Sequence, residues 1–253
     1  VTKKSITKST PKDVVKKSKR APAHIGLVKN DSYLSPYEDI IRGRHEHALW
    51  KIKQLTQDGK MTLSDFANGY NYYGLHLTDE GWVFREWAPN ATDIYLVGDF
   101  NGWKELPSYK CKRIEGTGNW ELRLPVHAME HGQYYKMRVH WNGGEGERIP
   151  AWAQRVVQDE NTKIFSAQVW NVEEPYVWKK KNFKPSTDPL LIYECHIGMS
   201  QDAEKVGSYT EFRENVLPRI IKDGYNAIQI MAIQEHPYYG SFGYHVSSFF
   251  AAS

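Results

Sequence analysis

Gly224 to Ser253, GYNAIQIMAIQEHPYYGSFGYHVSSFFAAS, is the stretch on which the reading of the fold turns. It opens with a glycine suited to cap a helix and continues in an apolar run, Ala227 to Ile233, long enough for one buried strand. A polar and aromatic loop follows, carrying Glu235, His236, Tyr238, Tyr239, Tyr244 and His245. A buried strand that empties into such a loop is how sites are assembled at the carboxyl ends of parallel sheets and barrels.

The segment before it completes a unit. Leu190-Leu191-Ile192-Tyr193 reads as a buried strand ending in Glu194-Cys195-His196. Ser208 and Glu211 have capping-box spacing for a helix over Tyr209 to Asp223, which Pro218 interrupts and Gly224 stops. Strand, helix and strand in this order predict parallel neighbours. Residues 172–189 mix proline with charge and read as a linker.

Upstream the pattern differs. Between Tyr70 and Trp170 short strands dominate: Trp82–Trp87, Asp93–Val97, Asn119–Leu124 and Tyr134–Trp141, separated by Gly, Pro and Asn turns. That spacing predicts an antiparallel sandwich over residues 68–171. Eight of the nine tryptophans fall between Trp82 and Trp178, and core is the expectation for any one of them. The Asn142-Gly143-Gly144 turn has no following lysine and opens no helix, which excludes a phosphate loop. Residues 31–67 hold an amphipathic helix with Ile41, Ala48, Ile52 and Leu55 on one stripe, ending at Gln57-Asp58-Gly59. His45-Glu46-His47 lacks metal-site spacing and reads as a solvated face.

Charge separates the tail from the body. Residues 1–29 carry nine Lys or Arg against one acid, whereas the rest carries 24 basic and 29 acidic residues. Residues 1–30 are therefore expected to be a disordered basic tail, and the mildly acidic body argues against a nucleic-acid partner. Cys111 and Cys195 form no framework, which fits free thiols in a reducing compartment. No apolar run approaches 18 residues, so no membrane span is expected.

At the strand tops, Glu194 and His196 lie on one strand and Glu235 and His236 after the next. Adjacent strands are about 5 Å apart, a distance that permits the paired carboxylates of a glycosidase. Carboxylates that merely orient loops satisfy the same spacing, and spacing does not choose between the two.

A resemblance adds to this reading. Tyr193-Glu194-Cys195-His196-Ile197-Gly198, Gly224-Tyr225-Asn226 to Met231-Ala232-Ile233, Glu235-His236, and Ser241-Phe242-Gly243-Tyr244-His245 to Phe249-Phe250-Ala251 resemble the opening of the catalytic barrel of 1,4-α-glucan branching enzymes. These belong to the α-amylase superfamily, glycoside hydrolase family 13. Glu86-Trp87-Ala88-Pro89 and Val97-Gly98-Asp99-Phe100-Asn101-Gly102-Trp103 resemble the family 48 carbohydrate-binding sandwich that precedes that barrel. The likeness runs from about Tyr37 to Ser253, with the modules in the family's order.

The resemblance implies a multidomain fold: an amphipathic helix, an all-β immunoglobulin-like sandwich, and over 190–253 the first β-α-β of a truncated (β/α)8 barrel. It implies retaining transglycosylation, in which an aspartate attacks the anomeric carbon, a glutamic acid protonates the leaving oxygen, and a sugar 6-hydroxyl intercepts the glycosyl-enzyme. Those two carboxylates, and a third that stabilises the transition state, lie in the family on barrel strands four, five and seven, so Glu194 and Glu235 inherit no catalytic role and no catalytic residue is assigned here. Tyr244 matches the family's tyrosine that stacks on the sugar at the cleavage subsite, with Ser241 and His245 beside it. Trp87, Ala88 and Pro89 match an oligosaccharide groove on the sandwich, with Glu115 and Asn119 on a nearby loop. Trp103 is either a further sugar contact or a pin for its own turn. The implied partner is an α-1,4-glucan (glycogen, amylose or maltooligosaccharides), with no cofactor and no metal, in a monomer of the cytoplasm or a plastid. A stand-alone glycan-binding module and an amylase-superfamily hydrolase are the competing readings; a binding module has no need of the segment from Leu190 onward. The expected outcome is that the 253-residue chain makes no branches in amylose, and iodine staining of amylose incubated with the purified chain checks it.

Overall fold

The structure, a computed structural model, describes residues 26–185 and 188–253. The described residues fall into two compact units, one ending at Ala67 and one running from Asn68 to Ser253. The first holds α1 (Gly26–Asn30), α2 (Glu38–Leu55) and α3 (Leu63–Phe66). Of the stretch expected to be an unstructured tail, residues 1–25 lie outside the described residues, and Gly26–Asn30 forms a short helix. On α2 the expected apolar stripe is only half-covered. Ile41 and Leu55 are partly buried, Ala48 and Ile52 are exposed, and no residue of the helix is buried. The helix stops where Gln57, Asp58 and Gly59 all take positive φ, and the buried Thr56 hydroxyl donates to the Ile52 carbonyl at 2.8 Å.

In the second unit, nine strands build two antiparallel sheets. They are β1 (Gly74–Thr78), β2 (Gly81–Trp87), β3 (Ala91–Gly98), β4 (Lys112–Ile114), β5 (Asn119–Leu124), β6 (Tyr134–Trp141), β7 (Gly144–Arg148), β8 (Val156–Gln158) and β9 (Phe165–Gln168). One sheet runs β1-β2-β5-β4 and the other β3-β6-β9-β8. The far edge of β6 is shared: Tyr134 and Tyr135 pair with β9, and Met137 to Trp141 pair with β7. Alternation dictates which residues turn inward. Trp82 and Phe84 of β2 and Trp120, Leu122 and Leu124 of β5 meet Ile94 and Leu96 of β3 and Tyr135 and Met137 of β6 in one core. The expected all-β sandwich is borne out.

The tryptophans depart from expectation. Of the eight between Trp82 and Trp178, only Trp82 and Trp120 are buried, while Trp87, Trp103, Trp170 and Trp178 are exposed. A buried indole must find an acceptor for its N–H, and these two donate to the carbonyls of Val126 and Ala88, both at 2.9 Å. The exposed four sit at strand ends, turns and connecting segments, where one ring face stays in water.

The sandwich core also holds a carboxylate. Glu86 is 3% exposed, and its two oxygens accept the backbone N–H of Trp87 at 3.0 Å and of Ala151 at 2.8 Å. Burial pushes its carboxyl above the ordinary range, against the pull of those two donors. Its charge adds to burial in raising the thiol of Cys111 and the phenol of Tyr135.

Beyond residue 171 no helix or strand forms, among the described residues, until β10 (Ile192–His196). It pairs in parallel with β11 (Ala227–Met231), from Ile192 opposite Ala227 to His196 opposite Met231. Between them lie α4 (Tyr209–Glu211), a π-helical turn over Phe212–Val216, and α5 (Leu217–Lys222). The Ser208–Glu211 capping box forms as read. Pro218 enters at the start of α5, and the wide turn before it accommodates a residue with no N–H and a ring that crowds the preceding turn. The first strand ends at His196 as read but begins two residues late, at Ile192. Leu190 to Tyr193, read as buried, are exposed, because Cys195 is the one residue of the strand that joins the apolar cluster with Phe212 and Ile220 of the helical segment. The second ends two residues early, because Ala232 takes φ +60°.

β12 (Gln234–Glu235) and β13 (Ser248–Ala252) then pair antiparallel. β13 packs on the sandwich: Ala251 joins its core, and the Phe250 ring stacks on Trp152 at 4.0 Å and 17°. Glu86→Ala would leave two buried N–H groups unpaired beside a cavity, which is expected to lower stability by about 2–4 kcal/mol. Because the folded pKa is raised, Glu86 contributes most below the ordinary carboxylate pKa and less as pH rises through the raised folded value. Urea midpoints measured across pH should therefore show the gap between wild type and Glu86→Ala narrowing as pH rises.

Candidate functional site

Trp87 ends β2 with its side chain exposed, opposite Asn119, the first residue of β5. The backbone beneath it is held at successive groups. Glu86 accepts the Trp87 N–H, and the Gly118 carbonyl accepts the Ala88 N–H at 3.0 Å. The buried Trp120 donates to the Ala88 carbonyl, and Arg113 donates to the Pro89 carbonyl at 2.8 Å. Gly118, at φ +75°, lets the turn pass closely; a Cβ there would lie 3.2 Å from the Trp87 indole nitrogen and 3.0 Å from Pro89. Trp87 therefore presents a flat apolar face from a rigid base.

A second indole faces the same hollow. A shallow cavity of about 360 Å³ is lined by Trp87, Ala88, Pro89, Asn90, Val139 and Trp141, together with Ala91. Trp141 ends β6 opposite Ala91 and lies against Gly144, with the Arg148 guanidinium 5.4 Å from its ring centroid. Sequence reading placed Trp141 only in a strand. The signal that could have found it is the pairing of β3 with β6, which brings the strand's last residue to the start of β3.

The other residues read from the sequence divide among three places. Asn119 stands beside Trp87, and Glu115 is exposed on the turn between β4 and β5 that carries Gly118. Trp103 sits at the opposite end of β3. Its indole donates to Asp99 at 2.9 Å, its backbone N–H bonds Gly98, and Asp99 in turn accepts the Tyr134 N–H. This geometry pins the turn, and Trp103 does not line the cavity with Trp87. Ser241, Tyr244 and His245 lie in the loop between β12 and β13. Ser241 is buried and its hydroxyl accepts the His245 N–H at 3.4 Å, while Tyr244 is 77% exposed.

The two carboxylates at the strand tops belong to different sheets. Glu194 is exposed on β10; Glu235 is half-buried on β12, where burial pushes its carboxyl up. The loop after β10 is drawn in by a close approach: a Cβ on Gly198 would fall 1.5 Å from the Tyr239 hydroxyl oxygen. Elsewhere, Glu105, His140 and Glu145 offer ligand atoms within 4.8 Å of one another. Both His140 ring nitrogens already face carboxylates at 3.0–3.1 Å, and Arg138 reaches Glu105, Glu145 and Glu147. That arrangement is an ion-pair network on the β6–β7 hairpin.

Residues 72–153 match the model of carbohydrate-binding module 48, the isoamylase N-terminal domain. A 1,4-alpha-glucan-branching enzyme of Dictyostelium discoideum is 39% identical over 233 residues, covering 90% of this chain and 34% of its own length. That of Saccharomyces cerevisiae is 41% identical over 251 residues, covering 90% and 35%. The chain thus spans about a third of the length of the curated relatives it matches. Among solved structures, a pullulanase from Bacillus acidopullulyticus aligns with TM-score 0.56 at 18% identity, over 72% of this chain and 25% of that one. A pullulanase from Paenibacillus barengoltzii, in complex with maltohexaose and alpha-cyclodextrin, aligns with TM-score 0.56 at 22% identity, over 72% and 32%. These two show the likeness of fold alone. The resemblance read from the motifs is borne out along nine-tenths of the chain.

Proposed function

We propose that this chain is the glucan-binding and barrel-opening portion of a 1,4-α-glucan branching enzyme. Its working site is the groove at Trp87 and Trp141. One observation carries the reading: an exposed indole stands on a backbone clamped at four successive groups and shares a shallow apolar hollow with a second indole. Rigid flat apolar faces with polar groups at their edge suit the C–H faces and hydroxyl rims of pyranose rings. Asn119 and Glu115 supply that polar edge.

The chemistry in this reading is retaining transfer of an α-1,4-glucan segment to a 6-hydroxyl. The groove holds the donor or acceptor chain away from the reacting bond, so that binding energy is spent on placement. Glu194 and Glu235 act as loop-supporting carboxylates. Tyr244, exposed on its loop, offers a ring to a sugar at the cleavage subsite, with Ser241 holding the loop through the His245 N–H. Trp103 is assigned to its turn. A monomer in a reducing, cytoplasmic setting fits the two free buried cysteines. Among the described residues no helix is long and apolar enough to cross a membrane.

The sandwich's packing against β13 weighs against the reading of a stand-alone binding module, whose core would have no use for Ala251. Calorimetric titration with maltoheptaose tests the groove. Trp87→Ala and Trp141→Ala are each expected to weaken binding about tenfold, a loss of ~1.4 kcal/mol. Unchanged affinity in both variants would assign the two indoles to packing.

A further inference from the structure

We propose that Tyr73 is a positioning residue for the groove: its hydroxyl orients the Asn119 carboxamide so that the amide N–H groups face a sugar stacked on Trp87. The proposal rests on the groove reading above and adds to it a residue that touches no sugar.

Tyr73 precedes β1, and its O–H donates to Asn119 Oδ1 at 3.0 Å across 46 positions of sequence. Asn119 is the cross-strand partner of Trp87, so the two side chains stand on one face of the sheet about 5 Å apart. A carboxamide has a donor end and an acceptor end of nearly equal shape, and a free one presents either. Holding its oxygen leaves two N–H donors for the groove. A pyranose lying on an indole exposes hydroxyl oxygens around its rim, and these need donors.

The hydroxyl is itself held in place. The Tyr73 ring stacks on Trp152 at 5.2 Å and 21°, and meets Tyr72 edge-on at 5.0 Å. Trp152 is stacked in turn on Phe250 and follows Ala151, the residue clamped by Glu86. Gly69 and Gly74 pack closely against Trp152, so nothing larger fits between it and the Tyr73 segment. A phenol is protonated throughout the neutral range, and burial pushes the Tyr73 hydroxyl further up, so it remains a donor there. Ring packing alone would need only the aromatic ring; what an oriented carboxamide requires is the oxygen.

The test separates ring from oxygen. Maltoheptaose affinity of the 253-residue chain is measured by calorimetry for wild type, Tyr73→Phe, Asn119→Ala, the double variant and Trp87→Ala. Tyr73→Phe keeps the ring stack, so its urea midpoint should match wild type, while its affinity falls about three- to tenfold, the range of one hydrogen bond. Asn119→Ala should lose at least as much, and the double variant no more than Asn119→Ala alone. In NMR spectra, the two Asn119 side-chain amide resonances, kept distinct in every variant by slow C–N rotation, should shift with maltoheptaose in wild type and shift markedly less in Tyr73→Phe. Wild-type affinity in Tyr73→Phe alongside a weakened Trp87→Ala overturns the positioning role and leaves the groove standing. Losses that multiply in the double variant overturn it as well. If neither Trp87→Ala nor Tyr73→Phe alters affinity, the groove reading falls and takes this one with it.

Discussion

The arrangement depends on a buried carboxylate that has no ion-pair partner among the described residues. Glu86 sits among core aromatics and gives its two oxygens to two backbone N–H groups far apart in sequence, those of Trp87 and Ala151. One contact sets the strand end from which the groove indole projects. The other sets the segment that places Trp152 between Tyr73 and Phe250. A carboxylate is unusual in such a place because desolvation opposes it, and two backbone donors offset only part of that cost. What it provides that an apolar residue cannot is a pair of acceptors a fixed distance apart. A binding surface and a packing surface are thereby held in register from inside the core.

Much of this was legible in the sequence, and the reason is local. Trp82 to Trp87 and Asn119 to Leu124 alternate with the two-residue period of a strand, and Ser208 with Glu211 spells a cap that needs only its own turn. The βαβ order of residues 190–233 follows from apolar runs flanking a capped helix. Trp87, Ala88 and Pro89 were found through family motifs; their spacing alone pointed nowhere.

What stayed hidden is non-local. Trp141 reads as one more strand residue until β3 is laid beside β6. The end of β11 at Met231 depends on Ala232 taking a left-handed conformation, which an apolar run does not disclose. Burial of individual tryptophans was misjudged because hydrophobicity counts the ring and not the indole N–H, which only Trp82 and Trp120 satisfy inside the core. Tyr73 carries no local signature either, since its partner lies 46 residues away. The stripe on α2 shows the converse: a 3.6-residue period states which face can be covered and is silent about whether it is.

Strand β13 has a bearing on how such proteins are cut and recombined. By sequence order the sandwich closes near residue 171, and a protein engineer seeking a portable sugar-binding cassette would sever it there. Yet Ala251, 80 positions downstream, is 2% exposed within the sandwich core, and Phe250 covers one face of Trp152. A cassette ended at that point would carry a missing tile in its interior and a bare aromatic face on its outside. Sequence modules and packing modules do not coincide here, so grafting succeeds only if the borrowed strand, or a surrogate for it, travels with the domain.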